Sequence, residues 1–464
     1  MESRFDGIVI GSGQAGPFLA ARLAGAGMKI ALVEREHLGG TCVNDGCMPT
    51  KTLVASARAA HVVRTAADHG VLLPGAPSID MKIVKARKDA IVGQAVANLT
   101  NWLGGLPNME VIRGHGRFVG PHRVEVDGRV LEAPKVFINV GGGAVLPDVP
   151  GVADVEVLTN TSILELDAVP AHLVVLGGSY IGLEFAQIYR RFGAQVTVIE
   201  AAPRLIARED PEVSGEVQAM LESEGVAFHL SARLLRLHKG AGGSGVRIDI
   251  ECDGGERQLD ASHLLVAIGR RPNTSDLGLE HAGIAIDARG FIPVDDELRT
   301  SVPGIWALGD VHGRGAFTHT SYNDFEIVAA NLLDEGPRSL RDRIPAYALF
   351  TDPPLGRIGM TEAEVRASGR PALVGRMPMT RVGRAKERGE TRGFMKVLVD
   401  AQTERVLGAA MLCIEGDEIV HSLLDVMYCQ ASYRVVERAV HIHPTVTELI
   451  PTLLQGLAPL AAAA

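Results

Sequence analysis

The residues best able to do chemistry are two cysteines in the run Gly39-Gly40-Thr41-Cys42-Val43-Asn44-Asp45-Gly46-Cys47-Met48-Pro49-Thr50-Lys51. A C-x4-C spacing is compatible with two metal ligands, with two buried thiols acting as small hydrophobes, or with a redox dithiol. Zinc needs two further ligands, and Cys252, Cys413 and Cys429 are isolated in the sequence. The dithiol is therefore favoured, and no metal site is expected. In the first turns of a helix, both sulfurs would feel the positive end of its dipole, which favours thiolate.

The elements around this run must position it. Phe5 to Ile10 is expected to form a buried strand, followed at once by Gly11-Ser12-Gly13-Gln14-Ala15-Gly16, a helix, and a second strand, Lys29 to Val33, that ends at Glu34. The unit returns as Leu173 to Leu176, Gly177-Gly178-Ser179-Tyr180-Ile181-Gly182, a helix, Val196 to Ile199, and Glu200. Gly11, Gly16, Ala20, Gly27 and Glu34 fall on Gly177, Gly182, Ala186, Gly193 and Glu200 at one fixed offset, with the acid about 18 residues beyond the last glycine. One such fingerprint is weak evidence and two in register are strong. The glycines allow a tight turn and close approach of a pyrophosphate to a helix N-terminus, and the acid can accept ribose hydroxyls.

Leu264 to Gly269 and Gly304 to Asp310 read as two more buried strands ending in glycine. Beyond Pro345 the pattern changes. Met395 to Val399 suggests a half-exposed antiparallel strand, helical segments follow around 419–427 and 447–457, and the Ala-rich last residues are expected to fray. The fold class is thus α/β: two Rossmann-like dinucleotide-binding domains plus a C-terminal α+β domain built for packing. The divisions fall at 1–148 with 276–338, at 149–275, and at 339–464.

Composition narrows the function classes. The chain has 464 residues, 46% hydrophobic and 22% charged, with net charge -9. There is no basic field for nucleic acid or an anionic membrane. Five cysteines are too few for a secreted disulfide scaffold. The apolar stretch from Ile8 to Val33 is interrupted by glycines, Arg22 and Lys29 and lacks a basic leader, so a soluble, cytoplasmic protein with no membrane partner is expected.

With these motifs in hand, the chain resembles the flavoprotein disulfide reductases: dihydrolipoamide dehydrogenase, glutathione reductase and mercuric reductase. Gly39 to Lys51 is similar to their redox signature, Gly11-x-Gly13-x-x-Gly16 with Glu34 to the FAD adenosine site, and Gly177 to Gly182 to the nicotinamide-nucleotide site. Gly269-Arg270-Arg271-Pro272-Asn273, Gly309-Asp310 and His443-Pro444-Thr445-Val446-Thr447-Glu448 follow in the family's order.

The resemblance implies roles: the two Rossmann-like domains would bind FAD and NAD(P), and the C-terminal α+β domain would be the dimerisation domain. Cys47 would be the thiolate beside the flavin and Cys42 the thiol that attacks the substrate. Lys51 would pair with Glu184 near the flavin, and Tyr180 would gate the nicotinamide pocket. His443 would be the general acid–base, oriented by Glu448 and reaching the site of the other subunit, so a homodimer is implied. Thr41, His115, Asp310 and Thr318 would join the FAD site, and Ser179 and Gly269 the nucleotide site. The acceptor would be a small-molecule disulfide of lipoamide type.

Several departures bear on this reading. Ser179 replaces the middle glycine of the second loop. Glu200 favours NADH because a carboxylate repels a 2′-phosphate, while Arg204 and Arg208 keep NADPH open. Asp45 stands between the cysteines, either raising the cost of a nearby thiolate or simply solvated. No second cysteine pair follows Cys429, and no N-terminal metal-binding module precedes the first loop, which argues against mercuric-ion reduction. Phe317 to Phe325 and Phe350-Thr351-Asp352-Pro353-Pro354 instead resemble the reactive-chlorine-resistance flavoproteins, relatives associated with copper-ion reduction. That makes a metal-ion or oxidant-responsive reductase the first alternative and a flavin redox sensor of low turnover the second. The basic stretch Arg381 to Arg388 is expected to be a solvated loop, and Cys252, Cys413 and Cys429 to be packing residues.

Overall fold

The opening apolar stretch folds as strand, glycine turn and helix. The computed structural model describes residues 2–461 apart from 76, 241, 242 and 335. Strand β1 (Gly7–Ile10) is buried throughout and leads through the glycine loop into helix α1 (Gly16–Gly25), which returns to β2 (Ile30–Glu34). A five-residue helix α2 (Gly40–Asn44) and the long helix α3 (Cys47–Arg64) follow. Strands β3 (Met109–Arg113) and β4 (Val136–Ile138) extend the sheet. The second unit repeats the plan with β5 (His172–Leu176), helix α4 (Tyr180–Phe192), β6 (Gln195–Ile199), β7 (Val226–His229) and β8 (His263–Val266). Strand β9 (Ile305–Ala307) and helix α5 (Thr318–Leu333) come after it.

Two parallel sheets result. The first has the order β9-β4-β1-β2-β3, so β9 joins it from across the second unit, and the second has the order β7-β6-β5-β8. In both, the strand carrying the glycine loop lies inside the sheet with its loop at the carboxyl end, where open α/β sheets bind ligands.

The C-terminal part is a six-stranded antiparallel sheet that includes Leu355–Gly359 and Phe394–Asp400. The half-exposed strand expected at Met395 to Val399 is instead buried on both faces. Its one charged residue there, Lys396, is 2% exposed because its ammonium meets Glu212 and Glu362, each at 2.6 Å, and Asp210 at 3.3 Å. A lysine is tolerated inside when carboxylates surround it.

The basic stretch is likewise not a free loop. Gly383–Glu387 is a short helix, Arg384 donates to Pro444 O at 2.7 Å, and Arg388 pairs with Glu415 at 2.7 Å. Cys252 and Cys413 are core residues, whereas Cys429 is exposed. The fraying expected of the Ala-rich terminus concerns residues 462–464, outside the described residues. Among the described residues no helix is long and apolar enough to cross a membrane.

Candidate active site

The two glycine loops share one hydrogen-bond pattern. Glu34 Oε2 accepts from Ser12 N (2.9 Å) and Glu200 Oε2 from Gly178 N (2.6 Å), the partners lying 22 positions apart in both. The other carboxylate oxygen accepts from the backbone two residues on, Glu36 N at 2.8 Å and Ala202 N at 2.7 Å. A Cβ on Gly16 would stand 2.3 Å from Gly11 O, and one on Gly182 2.0 Å from Gly177 O, so strand and helix approach this closely only with glycine. The loops differ past the neighbouring strand. Asn139 accepts from Gly16 N and donates to Leu308 O, both at 2.9 Å, where the second unit has Ala267.

Both loops open onto one cavity of about 1810 Å³. Its wall also carries Thr41, Cys42, Cys47, Lys51, His115 and Asp310. Tyr180, Glu184, Glu200, Gly269 and Thr318 line it as well, as does Ser179, which caps no helix N–H and is exposed. Gly16 and Gly182 stand behind the wall and act through packing. Two closed glycine cradles, each with an oriented carboxylate, fit two dinucleotides on one cavity. Asp310 belongs to a turn held from behind: buried Asp324 accepts from Gly309 N (2.7 Å) and from His312 Nε2 (2.8 Å).

The cysteines do not share a helix, contrary to the expectation from sequence. Gly46 breaks the chain between α2 and α3, and a Cβ there would lie 2.7 Å from Thr41 O. Only Cys47 begins a long helix. Its sulfur shares a hydrogen bond with the Thr318 hydroxyl at 3.1 Å, at the first turn of α5. The Cys47 thiol is lowered to about 6, first by a hydrogen bond from Cys42, then by Thr318 and the Lys51 charge acting against burial. The Cys42 thiol is pushed up by that same bond and by burial. One sulfur is thus poised as thiolate with the other as its proton-bearing donor.

Lys51, one turn into α3, reaches Glu184 of α4 at 2.6 Å, and its ammonium lies 4.6 Å from the centroid of the Phe350 ring. Glu184 is buried and also accepts from Phe350 N at 3.0 Å. The same face of α4 holds the following residues: Gln187 Oε1 accepts from Asp352 N at 2.8 Å, and Arg191 pairs with the Asp352 carboxylate at 2.5 Å. Arg58 of α3 takes the other oxygen at 2.5 Å.

Asp45 meets Thr161 rather than the sulfurs. Its Oδ2 accepts from the Thr161 hydroxyl at 2.9 Å, its backbone carbonyl accepts from Asn160 Nδ2 at 3.0 Å, and burial raises its carboxyl. His443 and Glu448 pair at 2.7 Å, but neither lines the cavity of its own chain. The His443 side chain is 81% exposed and Glu448 11%, so a half-buried carboxylate aims an outward-facing imidazole.

Sequence reasoning passed over Asn139, Glu209 and the role of Phe350. Asn139 follows an ordinary buried strand, Glu209 an unremarked loop, and Phe350 acts only through a lysine 299 positions away (350 − 51). The repeat gave no signal for Asn139, which lies 128 positions from its structural counterpart Ala267 (267 − 139) and so off the repeat's offset of 166 (177 − 11).

A family model described as pyridine nucleotide-disulphide oxidoreductase matches residues 5–324, and one for that family's dimerisation domain matches residues 345–454. The chain belongs to this family. It is an oxidoreductase and a flavoprotein, and membership implies FAD with a pyridine nucleotide. The matched dimerisation domain supports a homodimer. Among relatives, the probable pyridine nucleotide-disulfide oxidoreductase RclA of Escherichia coli is 36% identical over 97% of this chain and 99% of its own. A dihydrolipoyl dehydrogenase of Cupriavidus necator is 34% identical, covering 97% of each chain. A mercuric reductase of Streptomyces lividans is 33% identical over 97% of this chain and 96% of its own. The solved HOCl-induced flavoprotein disulfide reductase RclA from Escherichia coli superimposes with a TM-score of 0.88 at 36% identity, over 97% of this chain and 99% of that one. Its Cu(II) complex gives 0.89 at 35%, over 98% and 99%.

Proposed function

We propose that the chain is a homodimeric NADH-dependent reductase that passes electrons through Cys42 and Cys47 to a small disulfide of lipoamide type. When held by the first glycine loop and Glu34, FAD would supply two-electron relay chemistry between the nicotinamide and the Cys42–Cys47 disulfide. The chain's residues do the rest. Lys51, held by Glu184, places a positive charge where electron density arrives. Cys47 remains as thiolate, supported by Thr318. His443 of the partner subunit takes the Cys42 proton as Cys42 attacks one sulfur of the substrate, forming a mixed disulfide, and returns that proton to the other sulfur, which is expelled as thiolate. Cys47 then attacks the Cys42 sulfur, the second substrate sulfur leaves as thiolate and takes a proton from solvent, and the intramolecular disulfide is restored.

The His443–Glu448 pair is the observation that carries this reading. Thiol–disulfide exchange needs a proton donor and acceptor, and a half-buried carboxylate 2.7 Å from an exposed imidazole supplies one that is oriented. NADH is favoured because Glu200 is fixed on the second loop, and because Arg204 spends a guanidinium N–H on Ala207 O at 2.8 Å. Arg208 lines the cavity and is the residue through which NADPH would be accepted.

A second reading, reduction of copper(II), draws on the likeness to RclA, which has been solved as a Cu(II) complex. One panel separates the two: oxidation of NADH and NADPH by the holoenzyme with lipoamide, glutathione disulfide, copper(II), mercury(II) or no acceptor. The first reading expects lipoamide turnover that His443→Gln lowers by roughly 10²–10⁴. Turnover with copper alone, indifferent to His443→Gln, would favour the second. Turnover unchanged in Cys47→Ala would remove the dithiol from both.

A further inference from the structure

Behind the cavity wall lies a buried carboxylate whose bonding is incomplete. Tyr180 opens α4 with its ring edge-on to Tyr347 at 5.8 Å and to Phe317 at 6.4 Å. Its hydroxyl donates to Glu209 Oε1 at 3.0 Å, and Tyr347 donates to the same oxygen at 2.6 Å. Glu209 is 2% exposed and Arg357, facing it, is 1% exposed. Glu209 Oε2 stands 3.8 Å from Arg357 Nε, too far for a hydrogen bond. Glu209 Oε2, Arg357 Nε and Arg357 Nη2 have no hydrogen-bond partner, while Arg357 Nη1 leans on Asp210 Oδ2 at 3.4 Å.

Such an arrangement is unfavourable as it stands. Buried polar atoms are nearly always paired, and opposite charges in a low-dielectric interior gain most by closing to contact. Both tyrosines crowd one oxygen of Glu209 while a guanidinium waits beside the other. Tyr180, Tyr347, Phe317 and Arg357 all reach the cavity wall while Glu209 stands behind it, and Tyr180, at the start of the second glycine-loop helix, is the one whose ring stands where a nicotinamide would lie against Lys51 and Phe350.

We propose that Glu209 is the latch of the Tyr180 gate and that Arg357 is its reserve partner. This rests on the reading that Tyr180 stands in the nicotinamide pocket. With the gate shut, Glu209 holds both hydroxyls. When the nicotinamide displaces the Tyr180 ring, its hydroxyl leaves Oε1 and Arg357 closes on the freed carboxylate, offsetting the lost bond. Glu209 and Arg357 are positioning residues that act through Tyr180 and set how readily the pocket opens.

The test is single-turnover flavin reduction by NADH in the holoenzyme, read as a half-saturating NADH concentration and a limiting rate constant. Tyr180→Phe removes only the latch bond and is expected to lower the half-saturating concentration by roughly five- to tenfold, since a hydrogen bond to a charged group is lost from the closed state. Arg357→Lys shortens the reserve partner and is expected to raise it by a similar factor, with the limiting rate constant unchanged within about twofold. In the Tyr180→Phe background the Arg357→Lys effect should shrink below about twofold, because no latch bond is left to replace. Should Arg357→Lys fail to fold, Tyr347→Phe serves in the same cycle: it leaves Tyr180 as sole donor to Oε1 and should raise the half-saturating concentration only when Tyr180 is present. Equal effects in both backgrounds would overturn the latch while leaving Tyr180 in the pocket. No response to Tyr180→Phe would overturn the latch, while no response to Tyr180→Ala as well would remove the ring from the nicotinamide pocket.

Discussion

The Cys47 sulfur and the Thr318 hydroxyl meet at 3.1 Å although they are 271 positions apart in the chain. The first turn of the redox helix and the first turn of α5 therefore converge on one sulfur, and two helix N-termini favour its thiolate form. Thr318→Val keeps the shape and removes the hydrogen bond. It should raise the Cys47 pKa by about one unit. The check is a pH titration of the long-wavelength thiolate–flavin absorption in the reduced holoenzyme.

The same titration in the unaltered protein has a definite sign. The Cys47 pKa is lowered from 9.0 to about 6, so the thiolate band should be full above pH 7 and fade as pH falls through about 6. Stability linked to this group runs the same way: it is present at high pH, above the unfolded thiol's pKa, and is lost as pH drops through the folded value. A band midpoint near 9 would mean that Cys42 and Thr318 do not support the thiolate.

Lys51 depends on Glu184 for its place, and Glu184 also holds Phe350 N. Glu184→Gln keeps one acceptor but removes the charge that fixes the ammonium. The limiting rate of flavin reduction should fall by roughly 10- to 100-fold, with a much smaller change in half-saturating NADH. Stopped-flow reduction separates the two quantities.

Asp45→Asn tests the residue between the cysteines. Its carboxyl is raised by burial, so the charged form is disfavoured by the fold, and this strain is relieved as pH falls through the raised value. Asn keeps an acceptor for Thr161 without the charge. The melting temperature at pH 7 should hold or rise, and the dithiol potential should move by no more than about 10 mV, where about 30 mV is a tenfold change in equilibrium. A large potential shift would restore a direct electrostatic effect on the sulfurs.

Asp352 joins Arg58 of α3 to Arg191 of α4, with Arg191 only 5% exposed. Asp352→Ala leaves a buried guanidinium short of a partner and should cost about 3–5 kcal/mol, read by denaturant unfolding of the holoenzyme.

What could be read from sequence was local or repeated. The glycine loops announce themselves because backbone geometry at Gly16 and Gly182 admits no Cβ, and a repeat in register multiplies a weak signal. The cysteine motif could be seen, but not the break at Gly46 that puts its sulfurs on different helices. Burial of Lys396 was hidden because its carboxylate partners come from residues as far as 186 positions away. Asn139, Glu209 and Phe350 were hidden for the same reason: each acquires a role only from what the fold places beside it.

The outward-facing His443, aimed by Glu448 yet absent from its own chain's cavity, has a genetic consequence. If each reaction centre draws its thiols from one chain and its imidazole from the other, two inactive alleles can rescue one another. A dimer combining a Cys47→Ala chain with a His443→Gln chain would hold one centre with both lesions and one with neither. Co-expressing the two alleles should therefore restore measurable turnover that neither homodimer shows.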